Sequence, residues 1–176
     1  MANSMSSALM IISTILKALQ IAALAVGSGF VGKFYKEFYD YFPQNVIKVD
    51  YFRHYGRYEI YLNAAGLGVV IVFIGLVFAC TRLQCKKHGA FGLLLLQVIG
   101  AIELVFASTL LYKVLESYQE HQHLLFISMP SWCDFCEKTD QDFQCYQLTI
   151  GMICGFSGAG LFLLDALFSF IAYKRS

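Results

Sequence analysis

Three ionisable side chains stand where water is scarce. Lys17, Glu103 and Asp165 each lie inside a long apolar stretch of this 176-residue chain. A charge left alone near the centre of a bilayer costs about 2.5–3.5 kcal/mol on insertion scales. Each of the three therefore needs an answer from elsewhere in the chain. Lys17 and Asp165 have opposite signs and can answer each other. Glu103 has no basic residue at its depth. A lone intramembrane acid suits a proton relay, an ion path or a lumenal ligand. It also suits a protonated carboxyl that donates to a neighbouring helix, with Gly100 and Ala107 on its face for close packing. The second reading is preferred, because no second acid shares its depth and transporters are built from more helices or repeats.

The cysteines offer a different chemistry. Cys133, Cys136 and Cys145 fall in the polar segment SWCDFCEKTDQDFQCY. With 8 or 11 intervening residues, Cys145 can pair with Cys136 or with Cys133 in an oxidising compartment, leaving one thiol over. Cys133-Asp-Phe-Cys136 also fits the C-x-x-C of thiol oxidoreductases. Four-helix redox enzymes such as the vitamin K epoxide reductases relay electrons through a second cysteine pair in the other outer loop. Gly32–Tyr61 contains no cysteine, so this reading stays a distant alternative. Cys80 and Cys85 flank a basic turn and are candidates for S-palmitoylation. Cys154 belongs in the core. His121-Gln122-His123 is a pair without a placed third ligand, and His54 and His88 do not complete it. There is no phosphate-cradling glycine loop and no nucleophile elbow. The expectation is a non-enzyme with no catalytic residue, cofactor or metal.

These residues must be positioned by membrane helices. The composition is 58% hydrophobic and 14% charged, too apolar for an ordinary soluble domain. Net charge is +1, which suggests no nucleic-acid partner. Four stretches are long enough to span: Leu9–Val31, Leu62–Cys80, Gly89–Leu111 and Leu148–Tyr173. The fold class is thus an all-α, four-helix transmembrane bundle forming one domain over residues 1–176. The first stretch reads as a retained signal anchor, since no positive n-region precedes it and Lys17 interrupts it. Thr81–His88 carries Arg82, Lys86 and Lys87 with no acid, and the tail ends Lys174-Arg175-Ser176. The positive-inside rule places both in the cytoplasm, and hence both termini. The outer loops are then 32–61 and 112–147. The second holds Glu116, Glu120, Asp134, Glu137, Asp140 and Asp142.

Depth and face predict a charge pair. Lys17 and Asp165 each lie eight residues from the cytoplasmic end of their stretch, about 12 Å in by helical rise. The first and fourth helices of an up-down bundle are antiparallel neighbours. Ser13, Lys17, Gln20 and Gly27 share one side of the first. Gly151, Gly155, Gly158, Asp165 and Ser169 share one side of the fourth, where Gly151-x-x-x-Gly155 permits close approach.

The first outer loop holds eleven aromatics among balanced charges. Phe34, Tyr35, Tyr58 and Tyr61 adjoin the spans and are expected in the interfacial belt. Tyr41, Phe42, Tyr51 and Phe52 lie on either side of Pro43, away from the spans, and read as an interaction surface. Lys33–Phe42 can continue the first helix out of the membrane, and Val46–Phe52 alternates weakly like a strand.

Two segments also carry a resemblance: Ile15-Leu16-Lys17-Ala18-Leu19, and Gly160-Leu161-Phe162-Leu163-Leu164-Asp165-Ala166-Leu167-Phe168-Ser169. With the length and span spacing, they resemble the snakeskin-like four-span proteins of insect smooth septate junctions. The topology is similar to that of MARVEL and claudin proteins. The claudin W-G-L-W-C-C pattern and the tetraspanin C-C-G are absent from the loops. The resemblance implies a structural component of an epithelial occluding junction in the lateral plasma membrane. It implies self-association in the lipid bilayer, as a homo-oligomer, and binding to other junction membrane proteins. Two alternatives from other classes remain: a channel or transporter subunit using Glu103, and a membrane thiol oxidoreductase using Cys133 and Cys136.

Overall fold

The computed structural model describes residues 2–41, 56–81, 83, 86–119, 123–124, 127–128, 133–134 and 144–175. Four helices dominate: α1 (Ala2–Tyr41), α2 (Gly56–Cys80), α3 (Lys87–Gln119) and α4 (Cys145–Arg175). Each is long and apolar enough to cross a membrane. The two prolines of the chain, Pro43 and Pro130, fall outside them. A short antiparallel ladder joins β1 (His123–Leu124) to β2 (Ile127–Ser128), with His123 opposite Ser128.

The helices outrun the expected spans. The first span was expected over 9–31 with Lys33–Phe42 able to continue it, and α1 does run on to Tyr41, so its last turns leave the membrane as helix. Nothing in Lys33–Tyr41 breaks it. Phe42 precedes Pro43, and the residue before a proline is pushed out of the α region. The second begins at Gly56 rather than 62, the third extends to Gln119 rather than 111, and the fourth opens at Cys145 rather than 148. The reason is shared: polar and aromatic residues at the ends keep helical backbone wherever a neighbouring helix covers them.

The turn between α2 and α3 is tight. The Thr81 amide and hydroxyl both donate to the Val77 carbonyl, at 2.9 and 2.8 Å, closing α2. Lys86 N–H donates to Leu83 O at 2.9 Å, and Ala90 N–H to Lys86 O at 2.9 Å. Gly89 lies so close under the Leu83 carbonyl that a Cβ there would overlap it. So short a connection makes α2 and α3 antiparallel neighbours. Each helix packs on the next in the chain or on α1 across the closing α1–α4 contact.

Many outward-facing residues of the helices are large and apolar, among them Phe73, Val77, Ile102, Phe106, Ile153 and Leu167. A surface of this kind suits lipid contact, and the chain reads as a multi-pass membrane protein.

The expected aromatic belt is corrected. Phe34, Tyr58 and Tyr61 are fully buried in the bundle, and Tyr35 packs against that core. The phenols tolerate burial because each hydroxyl has a partner. Tyr58 donates to the Tyr118 hydroxyl at 2.8 Å, and Tyr61 donates to the Gly151 carbonyl at 2.6 Å.

Candidate functional site

The polar interior is arranged in layers. At one end of the bundle, Lys17 Nζ lies 2.8 Å from Asp165 Oδ2, with side-chain exposures of 1% and 0%. Ser13 sits between them: its hydroxyl donates to Asp165 Oδ1 at 2.6 Å and accepts from Lys17 Nζ at 2.5 Å. Ser13 precedes Lys17 by one helical turn, so both reach α4 from one face of α1. The carboxylate thus receives a charge-assisted bond on each oxygen. Gly75 on α2 makes room for the lysine stem, since a Cβ there would come within 2.5 Å of Lys17 Cε. One turn further in, Gln20 Nε2 donates to Gln97 Oε1 at 3.4 Å. Gln20 Oε1 and Gln97 Nε2 are buried without a hydrogen-bond partner among the described residues.

The middle layer is apolar. Leu24, Leu104 and Phe162 fill it. The Phe162 ring rests against Gly100, where a Cβ would stand 2.9 Å from the ring edge. Gly68 takes Leu24 in the same way, with 3.0 Å to Leu24 Cδ1.

The layer beyond it is a node of three helices. Gly27 on α1 and Gly151 on α4 face each other, and Tyr61 on α2 reaches between them to the Gly151 carbonyl. Gly155 leaves space for Tyr61 and for Ser108 on α3. Of the α4 glycines, Gly151 therefore admits α1 and Gly155 admits α3. Above the node, Phe34 stacks on Phe38 at 5.9 Å and meets Tyr58 at 5.8 Å between centroids. The Tyr58–Tyr118 hydrogen bond closes this aromatic layer. Cys133 and Cys145 are joined there in a disulfide at the start of α4, the pairing chosen from the two left open.

The remaining expected residues are placed as follows. Glu103 is half-buried on α3, with buried Gly100 and Ala107 beside it. Among the described residues it has no hydrogen-bond or ion-pair partner. The expected donation to a neighbouring helix is therefore not made among the described residues, although Gly100 and Ala107 are buried as close packing on that face requires. Cys80 is exposed and free at the end of α2, and Cys154 is free and half-buried. Tyr41 is the last residue of α1. Phe42, Tyr51, Phe52, Cys85 and Cys136 lie outside the described residues, as does the strand expected over Val46–Phe52. No group of residues able to hold a metal occurs among the described residues.

Sequence reasoning missed Gly75, Gln97 and the Tyr58–Tyr118 pair. Gly75 and Gln97 looked like parts of generic spans, and each acquires meaning only from the helix opposite. The tyrosines carried a signal that was available: a phenol near a helix end can face inward if a second phenol stands at its level.

Comparison with family models, curated proteins and solved structures finds no match for this chain.

Proposed function

We propose that the chain is a structural component of an epithelial occluding junction of the smooth septate type. It contributes to the paracellular barrier by self-association and by binding other junction membrane proteins in the lateral plasma membrane. Both termini are cytoplasmic, and the long connections on either side of α2–α3 face outward.

One observation carries this reading. Both long connections, 42–55 and 120–143, leave from the same end of the bundle, and that end is braced. Phe34, Phe38, Tyr58 and Tyr118 fill its core, and the Cys133–Cys145 disulfide ties the second connection to α4. α1 continues to Tyr41, and a 40-residue helix is about 60 Å long against a hydrocarbon layer of about 30 Å. The result suits a stiff platform that presents two outer segments. The intramembrane charges Lys17 and Asp165 are already spent on each other. A C-x-x-C relay would need Cys133 paired with Cys136, whereas Cys133 is bonded to Cys145.

The test is the aromatic loop. Replacing Tyr41, Phe42, Tyr51 and Phe52 together by Ser should leave folding and surface delivery intact while paracellular tracer leak across an epithelium rises. A variant that is delivered and seals as well as the parent would reduce this loop to a membrane anchor.

A further inference from the structure

Glu103 stands at the midpoint of α3, with sixteen residues of the helix before it and sixteen after. Within the span expected over 89–111 it lies about 4–5 Å from the midpoint by helical rise, near the centre of a bilayer. The residue is half-buried, and its carboxyl is unpartnered among the described residues. The cation buried in this bundle, Lys17, is held by Asp165. Hydrocarbon supplies neither donor nor acceptor, and the described residues of the chain supply none either, so a second copy is the partner to consider.

The residues around it form a seam. Gly92, Leu96, Ile99, Glu103, Phe106 and Leu110 follow one another at spacings of four, three, four, three and four. This is the alternation by which helices pack as a coiled coil, and a polar residue inside such a seam fixes register and oligomer state. None of the six is fully buried; Ile99 is 49% and Phe106 60% exposed. Gly92 opens onto free space, where an added Cβ would meet nothing within 4 Å.

We infer that this seam is the contact between two copies of the chain, with the paired Glu103 carboxyls at its centre. In a two-fold dimer whose axis is normal to the membrane, a residue near the axis meets its own copy at equal depth. A carboxylic acid is its own hydrogen-bond complement, one O–H donor and one carbonyl acceptor. Two such groups sharing protons across the axis satisfy each other without a basic residue. The inference rests on the self-association proposed above and names its surface.

The experiment uses the purified full chain in lipid nanodiscs and vesicles, in a background with Cys80, Cys85, Cys136 and Cys154 replaced by Ser. Oxidation should cross-link Ile99→Cys and Phe106→Cys into dimers. Val105→Cys, 42% exposed on the opposite flank of α3, should stay monomeric. Glu103→Leu should weaken dimerisation by fluorescence transfer about 3- to 30-fold, the range expected for interhelical hydrogen bonds, and Glu103→Gln should retain most of it. Cross-linking at Val105 as strong as at Ile99, or unchanged dimerisation in Glu103→Leu, overturns the seam while leaving self-association standing. Monomers throughout, with Glu103 freely labelled by a membrane-soluble carbodiimide, would make lipid its occupant and remove self-association as well.

Discussion

The Lys17–Asp165 pair can be tested with a double-mutant cycle. At 2.8 Å and an effective dielectric of about 20, the Coulomb attraction is about 6 kcal/mol, much of which offsets desolvation of two charges. Removing one partner is a different perturbation. Lys17→Met leaves Asp165 with only the Ser13 hydroxyl, and Asp165→Leu leaves Lys17 with the same hydroxyl and no anion. Stranding a buried charge in this way costs about 3–5 kcal/mol in soluble proteins. For a chain of this size that is a fall of roughly 10 °C in Tm, at about 2–4 °C per kcal/mol. The double variant replaces both charges with apolar groups of similar bulk and strands no charge, leaving only the neutral Ser13 hydroxyl to find another acceptor. It should recover at least about 2 kcal/mol of the summed loss, since residues in contact commonly couple by 0.5–3 kcal/mol. The assay is reversible unfolding of the four proteins in one detergent, with surface delivery as a cellular readout. Additive single and double losses, with coupling below about 0.5 kcal/mol, would refute the argument that the two charges hold each other.

Other consequences follow from the same geometry. Gly75→Ala should destabilise by about 1–3 kcal/mol, because the new methyl must displace the lysine stem; unfolding in detergent checks it. Tyr61→Phe should lose about 1 kcal/mol, the net worth of its bond to the Gly151 carbonyl, with little change in packing. Cys145→Ser should cost about 3 kcal/mol, as expected for opening a loop with its ends 12 residues apart, and peptides from the non-reduced parent should join Cys133 to Cys145.

The bundle was legible in the sequence because a bilayer imposes its length on apolar runs. Four such runs, and two internal charges at matched depth, were enough to place α1 beside α4. The faces were legible for the same reason: Ser13, Lys17 and Gln20, like Gly151, Gly155 and Asp165, share a side at helical spacing, and all are buried. The ends were less so. Phe34, Tyr58 and Tyr61 look like belt residues in composition, and only a partner hydroxyl or carbonyl from another helix turns them inward. Gly75 was invisible, and Gly100 was legible as a packing position without its partner, because a glycine in a span declares nothing about which side chain will lie across it. Glu103 has no basic residue at its depth in the sequence, and among the described residues the expected bond to a neighbouring helix is not made. The sequence shows which groups lack a partner, whereas orientation depends on where the small residues let the helices close.

The layers together suggest what selects this packing over others. In a bilayer, apolar side chains gain little by exchanging lipid for one another, so hydrophobic burial does not fix how far one helix slides along the next. Three large side chains do so here, each lying where a partner helix has only a hydrogen: Lys17 over Gly75, Phe162 over Gly100, and Tyr61 between Gly27 and Gly155. The first and last also carry directed bonds, to Asp165 and to the Gly151 carbonyl. A slide of one residue along α1 moves Lys17 by about 1.5 Å and rotates it by about 100°, which breaks its bonds and drives its stem out of the Gly75 notch. Shape and polarity thus reject the same errors at two depths, with the phenylalanine between them serving by shape alone. Glu103 has the position and chemistry of such a pin but no socket among the described residues of its own chain. That is why the contact between copies is where its role should be sought.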